Sequence, residues 1–101
     1  MLIYRVSGKA RSQKIEEARR KFAGLCEASR KVAGVVSFDV AQDVTDPAVF
    51  VSIEVYEDQA AVDRQGELAE LRDLMAVLDE VLADGPRGTV FHVSSARPWP
   101  L

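Results

Sequence analysis

Few side chains here can do acid–base or nucleophilic chemistry. The 101 residues hold one histidine, His92, and one cysteine, Cys26, and asparagine is absent. Histidine is the side chain that titrates near neutral pH without help, which makes His92 a candidate general base. Tyr4 and Tyr56 are candidate hydrogen-bond donors to an oxyanion, and Gln65 and Asp63 add polar groups near a helix end. Each has a structural alternative. His92 shares the strand alternation of Val90 and Ser94, where a satisfied structural histidine is equally at home. Tyrosines on alternating strands pack their rings and leave the hydroxyl at the edge. Cys26 lies beside Leu25 within an amphipathic helical pattern and reads as a buried thiol.

Other chemistries fail on inventory. A single histidine and a single cysteine, far apart in sequence, make no zinc set. There is no GxGxxG, no P-loop and no Gly-x-Ser-x-Gly turn, so the expectation is no metal and no cofactor. A net charge of -3 argues against nucleic acid as a partner. The basic residues Arg11, Lys14, Arg19, Arg20, Lys21, Arg30 and Lys31 are interleaved with Glu16, Glu17 and Glu27, the pattern of a solvated helix face. No apolar run approaches the roughly 20 residues of a membrane span, and the first residues do not form a secretory signal. One cysteine excludes an intrachain disulfide and gives a cytoplasmic expectation.

The elements that must position these side chains follow from periodicity. Residues 2–9 alternate as a strand, with Leu2, Tyr4 and Val6 on one face and Ile3, Arg5 and Ser7 on the other. Ser12 caps a helix with the stripe Ile15, Ala18, Phe22, Leu25, Cys26 and Val32, and Gly34 closes it in a left-handed turn. Residues 35–43 and 49–56 form a hairpin about Thr45-Asp46-Pro47. Asp58 caps a short helix over 58–64, and a longer helix carries Leu68, Leu71, Leu74, Met75, Leu78, Val81 and Leu82. Asp84-Gly85-Pro86 stops that helix before a last strand over 88–94. The order βαββαβ predicts an α+β ferredoxin-like sandwich, a four-stranded antiparallel sheet with the helices on one face. Residues 1–95 make one domain, and 96–101 a proline-extended tail able to lie across a partner subunit.

The open face of that sheet decides the oligomer. Val51, Ile53 and Val55, with Val36, Phe38 and Val40, are expected to meet the helices. The other face then carries Phe50, Glu54, Tyr56, Val35, Ser37, Asp39, Ile3, Arg5, Val90 and His92. Each large apolar side chain is worth about 1.5–3 kcal/mol on burial, so such a face calls for a cover. The expectation is a homodimer joined sheet to sheet, with Arg5 paired to Glu54 or Asp39.

With the elements in place, Glu54-Val55-Tyr56-Glu57-Asp58-Gln59-Ala60-Ala61-Val62-Asp63 is similar to a family signature. The signature is a strand ending in Glu-x-Trp that runs into a short acidic-Ala-Leu helix followed by two histidines. It belongs to the antibiotic biosynthesis monooxygenase domain of the dimeric α+β barrel superfamily, and the resemblance covers residues 2–94. Tyr56 stands where the family often has Trp, and Gln65 and Glu70 where it often has histidines. The resemblance implies a cofactor-free monooxygenase that oxidises an aromatic polyphenol, anthrone or quinol with molecular oxygen. His92, Tyr56, Tyr4 and Gln65 are its candidate catalytic residues. The haem-degrading branch uses Asn, His and Trp around haem, and here the only Trp is Trp99 in the tail. The missing histidines leave open a second reading, a non-catalytic dimeric barrel that binds a small apolar ligand.

Overall fold

The computed structural model describes residues 1–100; the last residue of the tail, Leu101, lies outside the described residues. Strand β1 (Leu2–Ala10) leads through a 3-10 turn (Ser12–Lys14) into α1 (Ile15–Ser29). Strands β2 (Val35–Asp43) and β3 (Asp46–Tyr56) form the hairpin, and helices α2 (Gln59–Gly66) and α3 (Ala69–Val81) lead to β4 (Leu82–His92). The sheet order is β2-β3-β1-β4, with every neighbouring pair antiparallel. This is the expected ferredoxin-like α+β fold. Among the described residues, no helix is long and apolar enough to cross a membrane.

Local chemistry sets the joints. Asp58 caps α2 as expected, its carboxylate accepting from the Ala61 amide at 3.0 Å. Gly34 has φ of 87°, and a Cβ there would lie 2.6 Å from Ala61 Cβ. Only glycine allows both that turn and the close approach of α2. Arg64 on α2 then donates to the Ala33 carbonyl from Nε at 3.0 Å and Nη2 at 2.7 Å, closing the same joint.

Two expected boundaries move. Ser12 opens the 3-10 turn and does not cap α1, which has no side-chain cap. Asp84-Gly85-Pro86 does not separate α3 from a later strand, because β4 begins at Leu82 and runs through all three residues. The pairing of β4 with β1 is irregular near Lys9, and β4 is an edge strand, where a proline is tolerated.

The larger correction concerns the faces of β3. Directly opposed residues share a face, and Leu2, Tyr4 and Val6 of β1 lie opposite Tyr56, Glu54 and Ser52. Phe50 and Tyr56 are buried under the helices, while Ile53 is 40% exposed. So Phe50, Ser52, Glu54 and Tyr56 face the helices, and Val51, Ile53 and Val55 line the open face with Ile3, the reverse of the expectation. The outward row is uniformly aliphatic, whereas the row beneath the helices sets Ser52 and Glu54 between two aromatic rings. The large rings fill the volume beneath the helices, and the β-branched row makes the flatter outer surface. Val36 also changes sides, at 56% exposed, because an irregularity between Val35 and Ser37 inserts it as an extra residue. On β4, Val90 and His92 lie opposite Tyr4 and Leu2 and so belong to the helix side, leaving Phe91 on the open face opposite Ile3. Glu54 and Arg5 are therefore on opposite faces, and Asp39 pairs with Arg30 at 3.0 Å.

The core packs Ala18, Leu25 and Cys26 of α1 and Leu74, Leu78 and Val81 of α3 onto Leu2, Phe38, Phe50 and Tyr56. Cys26 is buried, as the sequence indicated. The helices do not close completely over the sheet, and the gap they leave is where the polar residues of β3 point.

Candidate functional site

A cavity of about 280 Å³ lies between α1, α3 and the sheet. Its walls are Phe22 and Leu25 from α1, Leu71, Leu74, Met75 and Leu78 from α3, and Phe38, Val40 and Phe50 from the sheet. Gly8, Leu82 and Pro86 complete one end. Among the described lining residues, Glu54 is the only one with an ionisable side chain.

The alternation of β3 builds the polar corner. Residues two apart on a strand share a face, so Ser52, Glu54 and Tyr56 stand in a row. Ser52 Oγ donates to Glu54 Oε2 at 2.7 Å, and the Tyr56 hydroxyl donates to Oε1 at 2.6 Å. Burial, the hydrogen bond to Glu54 and its charge hold the Tyr56 phenol well above the ordinary tyrosine range. Tyr56 therefore keeps its proton and spends it on Glu54. The carboxylate is fixed on both oxygens and retains lone pairs for a ligand. An ionised carboxylate accepts hydrogen bonds and protons, and at the edge of an apolar cavity it is a base with its direction set by its neighbours.

Of the residues singled out from sequence, Tyr4 and Tyr56 come together. Their rings pack edge to face, 5.4 Å between centroids and 79° between planes. Gln65 is buried, with Nε2 donating to Ser29 Oγ at 3.3 Å, and ties α2 to α1 outside the cavity lining. His92 is exposed at the end of β4, and Leu2 on β1 stands between it and Tyr56. Two strand spacings separate them, roughly 9–10 Å. The structure thus gathers the two tyrosines about Glu54 and leaves His92 and Gln65 elsewhere. Asp63 is exposed and accepts from Gln59 Nε2 at 3.0 Å. Glu70 is exposed in the first turn of α3.

Glu54 and Ser52 escaped the sequence reading. Their signal was the row Phe50-x-Ser52-x-Glu54-x-Tyr56, in which polar groups break an otherwise aromatic face. A polar residue on a buried face has to find partners, and these three find one another.

A second cavity of about 160 Å³ opens between α1 and the β2–β3 edge. It shares Phe22, Val40 and Phe50 with the first, and Cys26 forms part of its wall. Burial raises the Cys26 thiol above its ordinary value, against the opposing pull of Arg30, so little thiolate is available there as a nucleophile. Arg19 is held at the rim by Gln42 Oε1, at 3.2 Å from Nε and 2.9 Å from Nη2.

The sequence profile of the family described as antibiotic biosynthesis monooxygenase matches residues 1–77, which include β1 to β3, α2 and most of α3. No curated protein matches the chain in sequence. Solved structures match the whole fold. A Pseudomonas aeruginosa protein superposes with a TM-score of 0.85 at 22% identity, covering 93% of this chain and 94% of its own. A Mycobacterium tuberculosis protein gives 0.87 at 16% identity, with 96% and 98% covered. A structure described as an antibiotic biosynthesis monooxygenase gives 0.85 at 20% identity, with 94% and 100% covered. At these identities the likeness establishes the fold.

Proposed function

The chain belongs to the antibiotic biosynthesis monooxygenase family, and from that premise we propose that it is a cofactor-independent monooxygenase for an aromatic polyphenol, anthrone or quinol. The observation that carries the reading is Glu54, a lone carboxylate in an apolar cavity with both oxygens held by neighbouring hydroxyls. Such a group takes the proton that turns an electron-rich phenol or anthrone into its anion. The anion passes one electron to molecular oxygen, and the two radicals combine to a peroxide at the substrate carbon. The O–O bond then breaks. One oxygen atom stays on carbon as a ketone while the remaining C–H bond of that carbon breaks, and the other leaves as water carrying that hydrogen and the proton returned from Glu54. The apolar walls keep bulk water from the anion and the radicals.

In this mechanism Ser52 and Tyr56 position the base. Tyr4 backs the Tyr56 ring. His92 stands exposed at the end of β4, two strands from Tyr56, and takes no part in this mechanism. Gln65 holds α2 against α1 and so keeps the protein closed at the Tyr56 end.

The protein acts as a homodimer in this reading. Ile3, Val51, Ile53, Val55 and Phe91 form an apolar patch on the open face, and Ile53 and Phe91 are 40% and 45% exposed. A second copy laid sheet to sheet covers that patch and closes the α+β barrel. The single buried thiol suits a cytoplasmic setting.

A competing reading, a barrel that binds a small apolar ligand without turnover, draws on Gln65 and Glu70 at positions where the family often has histidines. Oxygen uptake separates the two. Metal-free protein is mixed with a panel of anthrones and reduced quinones, with autoxidation and heat-unfolded protein as references. The proposal expects a saturable uptake that unfolding abolishes. Uptake at the autoxidation rate across the panel contradicts it and favours binding alone.

A further inference from the structure

The same cavity has a charge preference that oxidation of a neutral phenol does not require. We infer that it binds a protonated amine on a one- or two-ring apolar body, with the ammonium against Glu54, and that it rejects ligands with a carboxylate or phosphate at that end. The inference rests on this cavity being the ligand site, and is independent of whether turnover follows.

Three observations carry it. Among the described lining residues, Glu54 supplies the only charge, and no salt bridge is formed to it. Its two donors are neutral hydroxyls, Ser52 and Tyr56, so they orient the negative charge without cancelling it. Burial keeps Tyr56 protonated, so that corner does not gain a second negative charge at neutral pH. The walls around it then favour a cation. Phe22, Phe38 and Phe50 all line the cavity, and the Phe22 and Phe50 rings lie 5.0 Å apart at 58°. Aromatic faces attract cations through their quadrupoles, most strongly where water is excluded. An uncompensated carboxylate beside three phenyl rings is complementary to an ammonium and hostile to an anion, which would lose its water and meet a like charge. A neutral hydroxyl satisfies Glu54 as a hydrogen-bond donor but leaves its charge unpaired.

The test is calorimetric titration of the protein with three ligands of one shape: 2-naphthylmethylamine, 2-naphthylmethanol and 2-naphthoate, at pH 7 and low salt. An ion pair in a site with little water exceeds a hydrogen bond from a neutral hydroxyl to the same carboxylate by enough for the ammonium to bind about tenfold tighter than the alcohol. Naphthoate gives no heat of binding. In Glu54→Gln the ammonium loses its advantage over the alcohol, with circular dichroism confirming the fold. The wild-type order alone decides the matter if that variant is unstable. Naphthoate binding as tightly as the ammonium overturns the inference, and so does an ammonium no tighter than the alcohol. In either case the alcohol's binding leaves the oxygenase reading standing. Failure of all three to bind removes the cavity as a ligand site, and both readings fall together.

Discussion

Alternate residues of β3 serve two different surfaces. Ser52 and Glu54 line the cavity, and Tyr56 on the same face joins Ser52 in donating a hydrogen bond to Glu54. Val51, Ile53 and Val55 look out from the uncovered face, a row of branched aliphatic side chains. The two rows differ in how their needs are met. The inner row satisfies its polar groups within one chain and leaves one carboxylate facing open space, which is the arrangement of a binding site. The outer row has no polar need, only area to hide, and hiding it takes another molecule. In the proposed reading one strand supplies a reactive side and an associating side, and each can be damaged without the other.

The largest expected effect is on the outer row. Val55→Asp puts a charge opposite Ile3 and Ser37 in the proposed sheet-to-sheet contact, where an unpaired buried charge costs about 3–5 kcal/mol. Light scattering at micromolar concentration should find wild type dimeric and this variant monomeric. A monomeric wild type, or a variant that stays dimeric, breaks the assignment of the two faces.

Beneath the helices, two rings that both line the cavity differ in how deeply they are packed. Phe38 is 2% exposed, and Phe38→Ala should cost about 3–5 kcal/mol in urea unfolding. Phe22 is half-buried and borders both cavities, so part of its surface already faces empty space. Phe22→Ala should therefore cost about half as much, roughly 1.5–2.5 kcal/mol. Equal losses would mean that the cavity is closed in solution.

Tyr56→Phe sharpens the inner row further. Losing one donor to a carboxylate costs about 1.5–3 kcal/mol. It also removes a pH dependence. The Tyr56 phenol is raised in the folded protein, so its stabilisation is complete below the ordinary tyrosine value near 10 and declines as pH rises past it. Wild type should lose stability above that pH, and the variant should lose less. Matching alkaline profiles would show that Tyr56 ionises freely in the fold.

The smallest effect lies at the hairpin turn, far from either surface. Asp43 accepts from the Thr45 hydroxyl and amide, and Asp46 from the Ala48 amide, and these bonds lower both carboxyls below their ordinary value. Their stabilisation is present above the ordinary carboxylate value near 4 and is lost as pH falls through the lowered ones. Asp43→Asn should lower the neutral plateau slightly and leave the acid end, where Asp43 is protonated in any case, almost unchanged, so that the acid side of the profile is flatter.

The fold was legible because its signals are local. Period-two runs, the Asp58 cap and the turn at Gly34 each state their structure within a few residues. The faces of β3 were not, because the aliphatic row Val51, Ile53 and Val55 is the more apolar by sequence and only pairing with β1 shows that the other row lies beneath the helices. That inversion hid the site: Glu54 was expected on the interface face, and His92 was singled out as the only histidine. The trio of Ser52, Glu54 and Tyr56 was written in the sequence, but its meaning depended on which side of the sheet it occupied. The start of β4 was hidden for a different reason. Asp84-Gly85-Pro86 carries turn chemistry, yet an edge strand accommodates it.

The central claim is that Glu54 takes the proton from the substrate. Its most direct test is oxygen uptake by wild type and Glu54→Gln across pH, using a phenolic substrate that ionises in the measured range. Loss of a general base slows the reaction about 10²–10⁴-fold, and the gap should close as the substrate ionises by itself at higher pH. A variant that matches wild type at neutral pH contradicts the claim, and so does a deficit that remains constant at every pH.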